Sequence, residues 1–236
     1  MSKTAIVVMA RFDSRRLPGK ALLDICGKPM LERVLERASR ASASAPTILA
    51  TTERDCDDGI ATFATQKGYS VFRGNTDDLL VRLIDCCEAF ELAQVARISG
   101  DSPFIDPALI ARAILESERT SAEIVTNVYP RTYPYGISVE VLPKATLEKI
   151  QDLTNTPADR EHVTRYIYEN PDQFLIENIE ASDPRLNGLP LAVDTSADLD
   201  LARAICGELG LGSCSASLAT VTETCLEILR RRKAGN

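Results

Sequence analysis

The sequence predicts an α/β fold, an open and mostly parallel sheet with helices on both faces. Three observations carry this: short apolar runs of strand length, amphipathic helical patterns between them, and polar loops that recur after each run. Residues 4–10 form a valine- and isoleucine-containing run that reads as a buried strand. Residues 30–40 follow helical spacing at Leu31, Val34, Leu35 and Ala38, with charges on the opposite side. An Ala/Ser-rich connection over 39–46 leads to a second strand at 47–52 and a second helix at 55–67, stopped by Gly68. A third strand at 69–72 precedes a helix reaching about Leu92, for which Asp77 or Asp78 is the N-cap, and 94–99 is a fourth strand.

In the second half the regular alternation is lost. Strands are expected at 124–128 and 137–142, separated by the aromatic and proline-rich stretch 129–136. A helix is expected over 157–169, a short strand over 190–193, and closing helices over 197–209 and 216–232. No repeat or linker is evident, so one domain over 1–236 is expected, with room for a substrate-binding or dimerisation subdomain near 128–190.

Composition narrows the function classes. Hydrophobic residues make up 44% and charged residues 26%, ordinary for a globular protein. A net charge of −7 disfavours a non-specific nucleic-acid binder, which needs a basic footprint. No apolar run approaches the roughly 20 residues that span a bilayer, and the first strand begins too early for a signal peptide. The seven cysteines are odd in number and contain no CxxC pair, which favours free thiols, a cytoplasmic location and no zinc site. A single histidine, His162, excludes histidine-pair chemistry.

In a parallel sheet, ligands gather at the carboxyl ends of the strands. The loops there are 11–20, 51–55, 73–78 and 100–103. The first holds Arg11, Arg15, Arg16 and Lys20 around a Pro18-Gly19 turn. It matches neither GxGxxG nor GxxxxGK[ST], yet arginine forks and a lysine point charge suit a polyphosphate. A solvated basic loop is the alternative that composition leaves open. Asp101 follows the fourth strand and Asp194 the short run before it, positions suited to magnesium ligands; for each, a helix N-cap is the other reading. The cluster Arg160, Glu161, His162 and Arg165 suits an anionic substrate, although i,i+4 pairing on a helix surface explains part of it. Tyr129, Tyr133 and Tyr135 suit a sugar-facing wall or a packed loop.

Taken together, the segments show a resemblance. Ala10-Arg-x-x-Ser-Arg-Arg-Leu-Pro-Gly-Lys20 resembles the signature loop of cytidylyltransferases that activate acidic sugars, the acylneuraminate and 3-deoxy-manno-octulosonate enzymes, and most of all the spore-coat-polysaccharide type. Ala50-Thr-Thr52, Phe72-Arg-Gly74 with Asp77-Asp78, Arg97-Ile-Ser-Gly-Asp-Ser-Pro103, Arg160-Glu-His-Val-Thr164 and Val193-Asp-Thr-x-x-Asp-Leu199 follow in the same order. The likeness covers about residues 4–205.

The resemblance implies a glycosyltransferase-A-like nucleotidyltransferase fold, CTP as donor, Mg²⁺, and transfer of CMP to a small anionic acceptor with release of pyrophosphate. Arg11 and Lys20 would bind the triphosphate and steady the leaving group. Ala10, Arg16, Gly19 and Gly100 would line the nucleotide with them, and Thr51, Arg73, Asp77 and Ser99 would lie near the nucleoside. Asp101 and Asp194 would hold the metal. Arg131, Tyr135, Glu140, Arg160 and His162 would face the acceptor, and a homodimer is expected. One loop departs from the pattern: Tyr133-Pro-Tyr-Gly-Ile-Ser-Val-Glu-Val141 has Tyr135 and Ser138 where the related branch usually has aspartates. An acidic sugar for surface polysaccharide, a phosphonate and a phosphate all stay open as acceptors. The competing readings are a sugar-1-phosphate nucleotidyltransferase using another NTP and a non-enzymatic nucleotide sensor.

Overall fold

A computed structural model describes residues 3–210 and 215–234. Its main sheet has seven strands, in the order β5 (Ser70–Gly74), β4 (Thr47–Thr52), β1 (Thr4–Met9), β6 (Gln94–Ser99), β8 (Glu140–Pro143), β7 (Ile124–Thr126) and β9 (Ile176–Asn178). The apolar run after Lys3 forms β1 (Thr4–Met9), almost wholly buried. On its two sides lie β4 (Thr47–Thr52) and β6 (Gln94–Ser99), both parallel to it, and β5 (Ser70–Gly74) extends the sheet beyond β4. The chain therefore runs outward from β1 through β4 and β5, then returns to lay β6 on the other side of β1. That reversal between β1 and β6 is a topological switch point, where the following loops diverge and leave a crevice.

Helices cover both faces, as the alternation predicts. On one face α1 (Met30–Ser39), α2 (Asp58–Gln66), α4 (Pro107–Arg119), α8 (Ser196–Leu209) and α9 (Leu218–Ala234) bury a large apolar cluster containing Leu31, Leu35, Ile110, Ile205 and Val221. On the other, α3 (Leu79–Ala89), α5 (Lys144–Leu153) and α7 (Arg165–Glu169) bury Leu80, Leu83, Leu147, Ile150 and Ile167. A small hairpin, β2 (Asp24–Ile25) with β3 (Lys28–Pro29), leads into α1.

Beyond β6 the sheet becomes mixed. β8 (Glu140–Pro143) runs antiparallel to both β6 and β7 (Ile124–Thr126), and β9 (Ile176–Asn178) pairs with β7 in parallel. The β6–β8 register sets Glu140 opposite Arg97.

Several expected elements change. The helix over 157–169 is two short ones, α6 (Pro157–Glu161) and α7, because His162 leaves helical geometry (φ −111°, ψ 70°) and Val163 turns fully into the core. The segment 190–193 is not a strand. It is held by Leu191 N–H donating to the Tyr135 carbonyl (3.0 Å) and Val193 N–H to the Asp101 carbonyl (2.9 Å). The strand over 137–142 shrinks to β8, since Asn127 takes the local backbone partners: its side chain donates to Ile137 O (2.6 Å) and accepts from Val139 N–H (2.8 Å).

Cys86, Cys87, Cys206 and Cys225 are all buried, as the helical patterns predict, and burial pushes Cys86 and Cys87 up to about 12. Cys214 lies outside the described residues. No helix among the described residues is long and apolar enough to cross a membrane.

Candidate active site

The loop after β1 is fixed from below before it offers any cation to the crevice. Phe12 N–H donates to Asp57 Oδ1 (2.6 Å), and Asp57, fully buried, also accepts from the Thr52 hydroxyl. Gly19 adopts φ +70° and its N–H closes onto the Phe12 carbonyl (2.7 Å), so the chain can turn and send Lys20 back toward the sheet. On the other side of the crevice, the Gly100 N–H donates to the Met9 carbonyl (2.8 Å). A side chain at 100 would place Cβ 2.7 Å from that same carbonyl oxygen, so only glycine lets the β1 and β6 ends approach this closely.

Lys20 is the centre of the crevice. Its ammonium donates to Asp101 Oδ2 (3.0 Å), Asp194 Oδ1 (3.0 Å) and the Val193 carbonyl (2.8 Å). Arg16 reaches the same Asp194 oxygen at 2.9 Å. The alternative roles for the two aspartates are filled by neighbours. Asp106 caps α4, accepting from Ala108 N–H, and Thr195 caps α8 in a capping box with Asp198. Neither Asp101 nor Asp194 is needed at a helix end, and 93 residues of separation close to a shared cation.

This crevice is a cavity of about 760 Å³, a volume typical of small-ligand sites. Of the residues expected at the nucleotide and metal, Ala10, Arg11, Arg16, Lys20, Asp77, Ser99, Gly100, Asp101 and Asp194 border it. Thr51 and Arg73 do not. Thr51 is fully buried in β4, and Arg73 is spent on the carbonyls of Thr52 (3.0 Å) and Arg54 (2.9 Å) and on Asp58 (2.6 Å). Gly19 shapes the turn without bordering the cavity.

A second cavity of about 530 Å³ adjoins the first, and Arg97, Ser99 and His162 line both. Arg131, Glu140 and His162, expected at the acceptor, border it; Tyr135 and Arg160 do not. Tyr135 is 61% exposed at the rim beneath Arg131, while Arg160 pairs with Asp78 (3.4 Å) and donates to the Gln151 carbonyl. The floor of this cavity is a buried polar network. Arg97 pairs with Glu140, whose other oxygen accepts from the Tyr168 hydroxyl (2.6 Å), and Thr126 lies 2.8 Å from that hydroxyl. Tyr129 stacks on Tyr168 with ring centroids 5.0 Å apart. Burial, then the adjacent Glu140 carboxylate, raises the Tyr168 phenol well above its ordinary range, so it stays a donor.

Comparison with known proteins fixes the family. A family model described as cytidylyltransferase matches residues 5–205. The chain belongs to the cytidylyltransferase family. The spore coat polysaccharide biosynthesis protein SpsF of Bacillus subtilis is 28% identical over 89% of this chain and 89% of that one. A 3-deoxy-manno-octulosonate cytidylyltransferase of Brucella suis is 29% identical over 88% of this chain and 97% of the relative. The solved structure of a cytidylyltransferase from Leptospira borgpetersenii superposes with a TM-score of 0.88 at 26% identity, covering 99% of this chain and 96% of that one. The fold is that of the nucleotidyltransferases, and the chain is an enzyme of that class.

Within this cytidylyltransferase, two cavity residues, Arg82 and Arg97, escape a reading of residue types alone. Arg82 sits 4% exposed on the apolar side of α3 and donates to the carbonyls of Asn75 (2.7 Å) and Thr76 (2.9 Å), fixing the loop that carries Asp77. Burial, then the nearby Arg11 charge, lowers its pKa from the usual guanidinium value. An arginine among Leu79, Leu80 and Leu83 is the signal that could have flagged it. Arg97 carries a similar signal, a charge inside a central strand. Glu161, which accepts from Arg11 at 2.7 Å, closes the cavity from α6.

Proposed function

We propose that this cytidylyltransferase uses CTP as donor, with Mg²⁺ as its divalent metal, and transfers CMP to a small anionic acceptor with release of pyrophosphate. An acidic sugar for surface polysaccharide is the favoured acceptor. The observation that carries the reading is the meeting of Lys20 with Asp101 and Asp194 at the switch point of the sheet, with Arg11, Arg15 and Arg16 on the same cavity. The 3-deoxy-manno-octulosonate cytidylyltransferase of Brucella suis supports the acceptor class.

The donor set fits a hard divalent cation. Two carboxylates from separate loops already converge on one cation beside an open cavity, and magnesium takes few carboxylates together with phosphate oxygens and water. Asp101 and Asp194 would hold it, and when bound it would neutralise charge on the phosphate oxygens. Lys20, at present the counter-ion of both aspartates, and Arg11 would then turn to the triphosphate and steady the pyrophosphate as it leaves. Arg16 would join them, and the nucleoside would lie along Ala10, Asp77, Ser99 and Gly100. The acceptor would occupy the second cavity and send its oxygen toward the α-phosphorus past Arg97, Ser99 and His162, where the two cavities meet. The new P–O bond forms as the bond to the pyrophosphate oxygen breaks, and a hydroxyl acceptor gives up its proton to solvent. Once turned to the triphosphate, these cations would need no further reorganisation as that charge develops, which makes them effective.

The test is pyrophosphate release from CTP and Mg²⁺ with a panel of sugar acids, 3-deoxy-manno-octulosonate among them, and of phosphate and phosphonate acceptors. Release should require CTP, and UTP, GTP or ATP should support little. Equal rates with another nucleotide would overturn the choice of donor. Tight CTP binding without release for any acceptor would sink the transfer itself.

A further inference from the structure

The acceptor cavity carries three arginines and two glutamates, and the pairing among them is uneven. Arg97 is taken by Glu140, and Arg165 by Glu169 at 2.8 Å. Arg131 is left over: among the described residues it has no carboxylate partner. Its contacts are neutral. The guanidinium carbon lies over the Tyr135 ring at 4.6 Å, and Nη1 donates to Ser138 Oγ (3.1 Å) and, at the limit of length, to the Pro134 carbonyl (3.4 Å). Stacking occupies a face of the planar group and leaves its edges for hydrogen bonds. No described residue accepts from Nε or Nη2.

The segment that carries Arg131 is built to hold still. Arg131 bridges Val128 in antiparallel fashion, and Thr132 Oγ1 accepts from Ala181 N–H (2.8 Å). Gly136, at φ +91°, presses so closely on the Leu191–Ala192 backbone that a Cβ would come within 2.4 Å of it. A cation fixed in place at a cavity wall, with spare donors and a formal excess of one positive charge around it, is a receptor for an oxyanion.

We propose that Arg131 is the specificity-determining residue of the acceptor cavity. It grips the acceptor's oxyanion group, a carboxylate or a phosphate-type group, through Nε and Nη2, and the neutral side chain of Ser138 is what keeps it available. This rests on the reading of the second cavity as the acceptor site. An acid at 138 would take the guanidinium for itself, much as Glu169 takes Arg165.

The experiment reads anion binding without turnover. Full-length enzyme is kept with CTP and Mg²⁺, so that the triphosphate cavity is filled, and is titrated with pyruvate or inorganic phosphate at constant ionic strength. Binding is followed by ligand-detected NMR. The wild type should bind at least one probe, and the stronger probe identifies a carboxylate or a phosphate-type group. Arg131→Gln and Ser138→Asp should each weaken that binding by about tenfold or more, as loss of a charge-assisted bidentate contact requires, while Ser138→Ala keeps it. CTP affinity measured in the same variants reports that they are folded. Failure of both probes to bind the wild type, or wild-type binding in Arg131→Gln and Ser138→Asp, would overturn the proposal. Because nothing is transferred, absent pyrophosphate release would leave a positive result here standing, and anion binding lost without loss of release would overturn only the role of Arg131.

Discussion

Asp101→Ala is expected to lower CTP-dependent pyrophosphate release by about 10²–10³-fold, equivalent to about 3 kcal/mol of lost transition-state stabilisation. The argument begins with the sheet. Asp101 stands just beyond β6 at the reversal beside β1, its carboxylate shares the Lys20 ammonium with Asp194, and neither aspartate is spent on a helix cap. Lys20→Ala should lose rate on the same scale but for a different reason, and the two can be told apart. Removing the lysine leaves two carboxylates without their shared counter-ion, so affinity for Mg²⁺ should be retained or rise. Removing Asp101 should weaken Mg²⁺ and rate together. Initial rates across a Mg²⁺ titration, with both variants beside the wild type, separate these outcomes. Near-normal turnover in Asp101→Ala would contradict the assignment.

Glu140→Ala should cost about 3 kcal/mol of stability, the largest loss expected from a substitution away from the triphosphate cavity. Glu140 is 4% exposed, pairs with Arg97, and accepts from the buried Tyr168 hydroxyl. Deleting it strands a mostly buried guanidinium and takes the charged acceptor away from the Tyr168 hydroxyl. Breaking one side of a buried pair costs more than the pair itself contributes, because the remaining charge is uncompensated. For a chain of this size the loss corresponds to a fall in Tm of roughly 6–12 °C. Removing the partner as well, in Arg97→Met with Glu140→Leu, should recover part of it. Thermal denaturation of the single and double variants checks this, and a single variant as stable as the wild type would show that the pair is not buried in the way described.

The first half of the fold was legible because buried parallel strands announce themselves as continuous apolar runs, as in β1 and β4. The second half was not, and the reasons are local. β7 and β9 are three residues each, too short for a period to register. The charge pattern over 157–169 runs on without interruption, yet the helix breaks at His162 because Val163 is drawn into the core. Asp194 sits where expected, but on a segment held by single hydrogen bonds to Tyr135 and Asp101 in place of a strand ladder.

The candidate site was legible where chemistry and position coincide. The loop around Lys20 and the two aspartates, singled out together in the sequence, meet in the fold, although the lysine rests on the aspartates instead of standing apart for phosphate. Thr51 and Arg73 looked equally polar and equally well placed, but strand pairing turned one inward and local carbonyls and Asp58 absorbed the other. Residue type cannot announce such commitments. Arg82 and Arg97 show the converse, charges inside apolar patterns whose partners only the folded chain supplies.

The most direct test of the central claim is a calorimetric titration of CTP into wild-type, Asp101→Ala and Asp194→Ala enzyme, with and without Mg²⁺. If Lys20, Asp101 and Asp194 form a metal–triphosphate site, Mg²⁺ should tighten CTP binding by about tenfold or more in the wild type, and this gain should vanish in both variants. A gain of equal size in all three proteins would place the metal elsewhere and contradict the account.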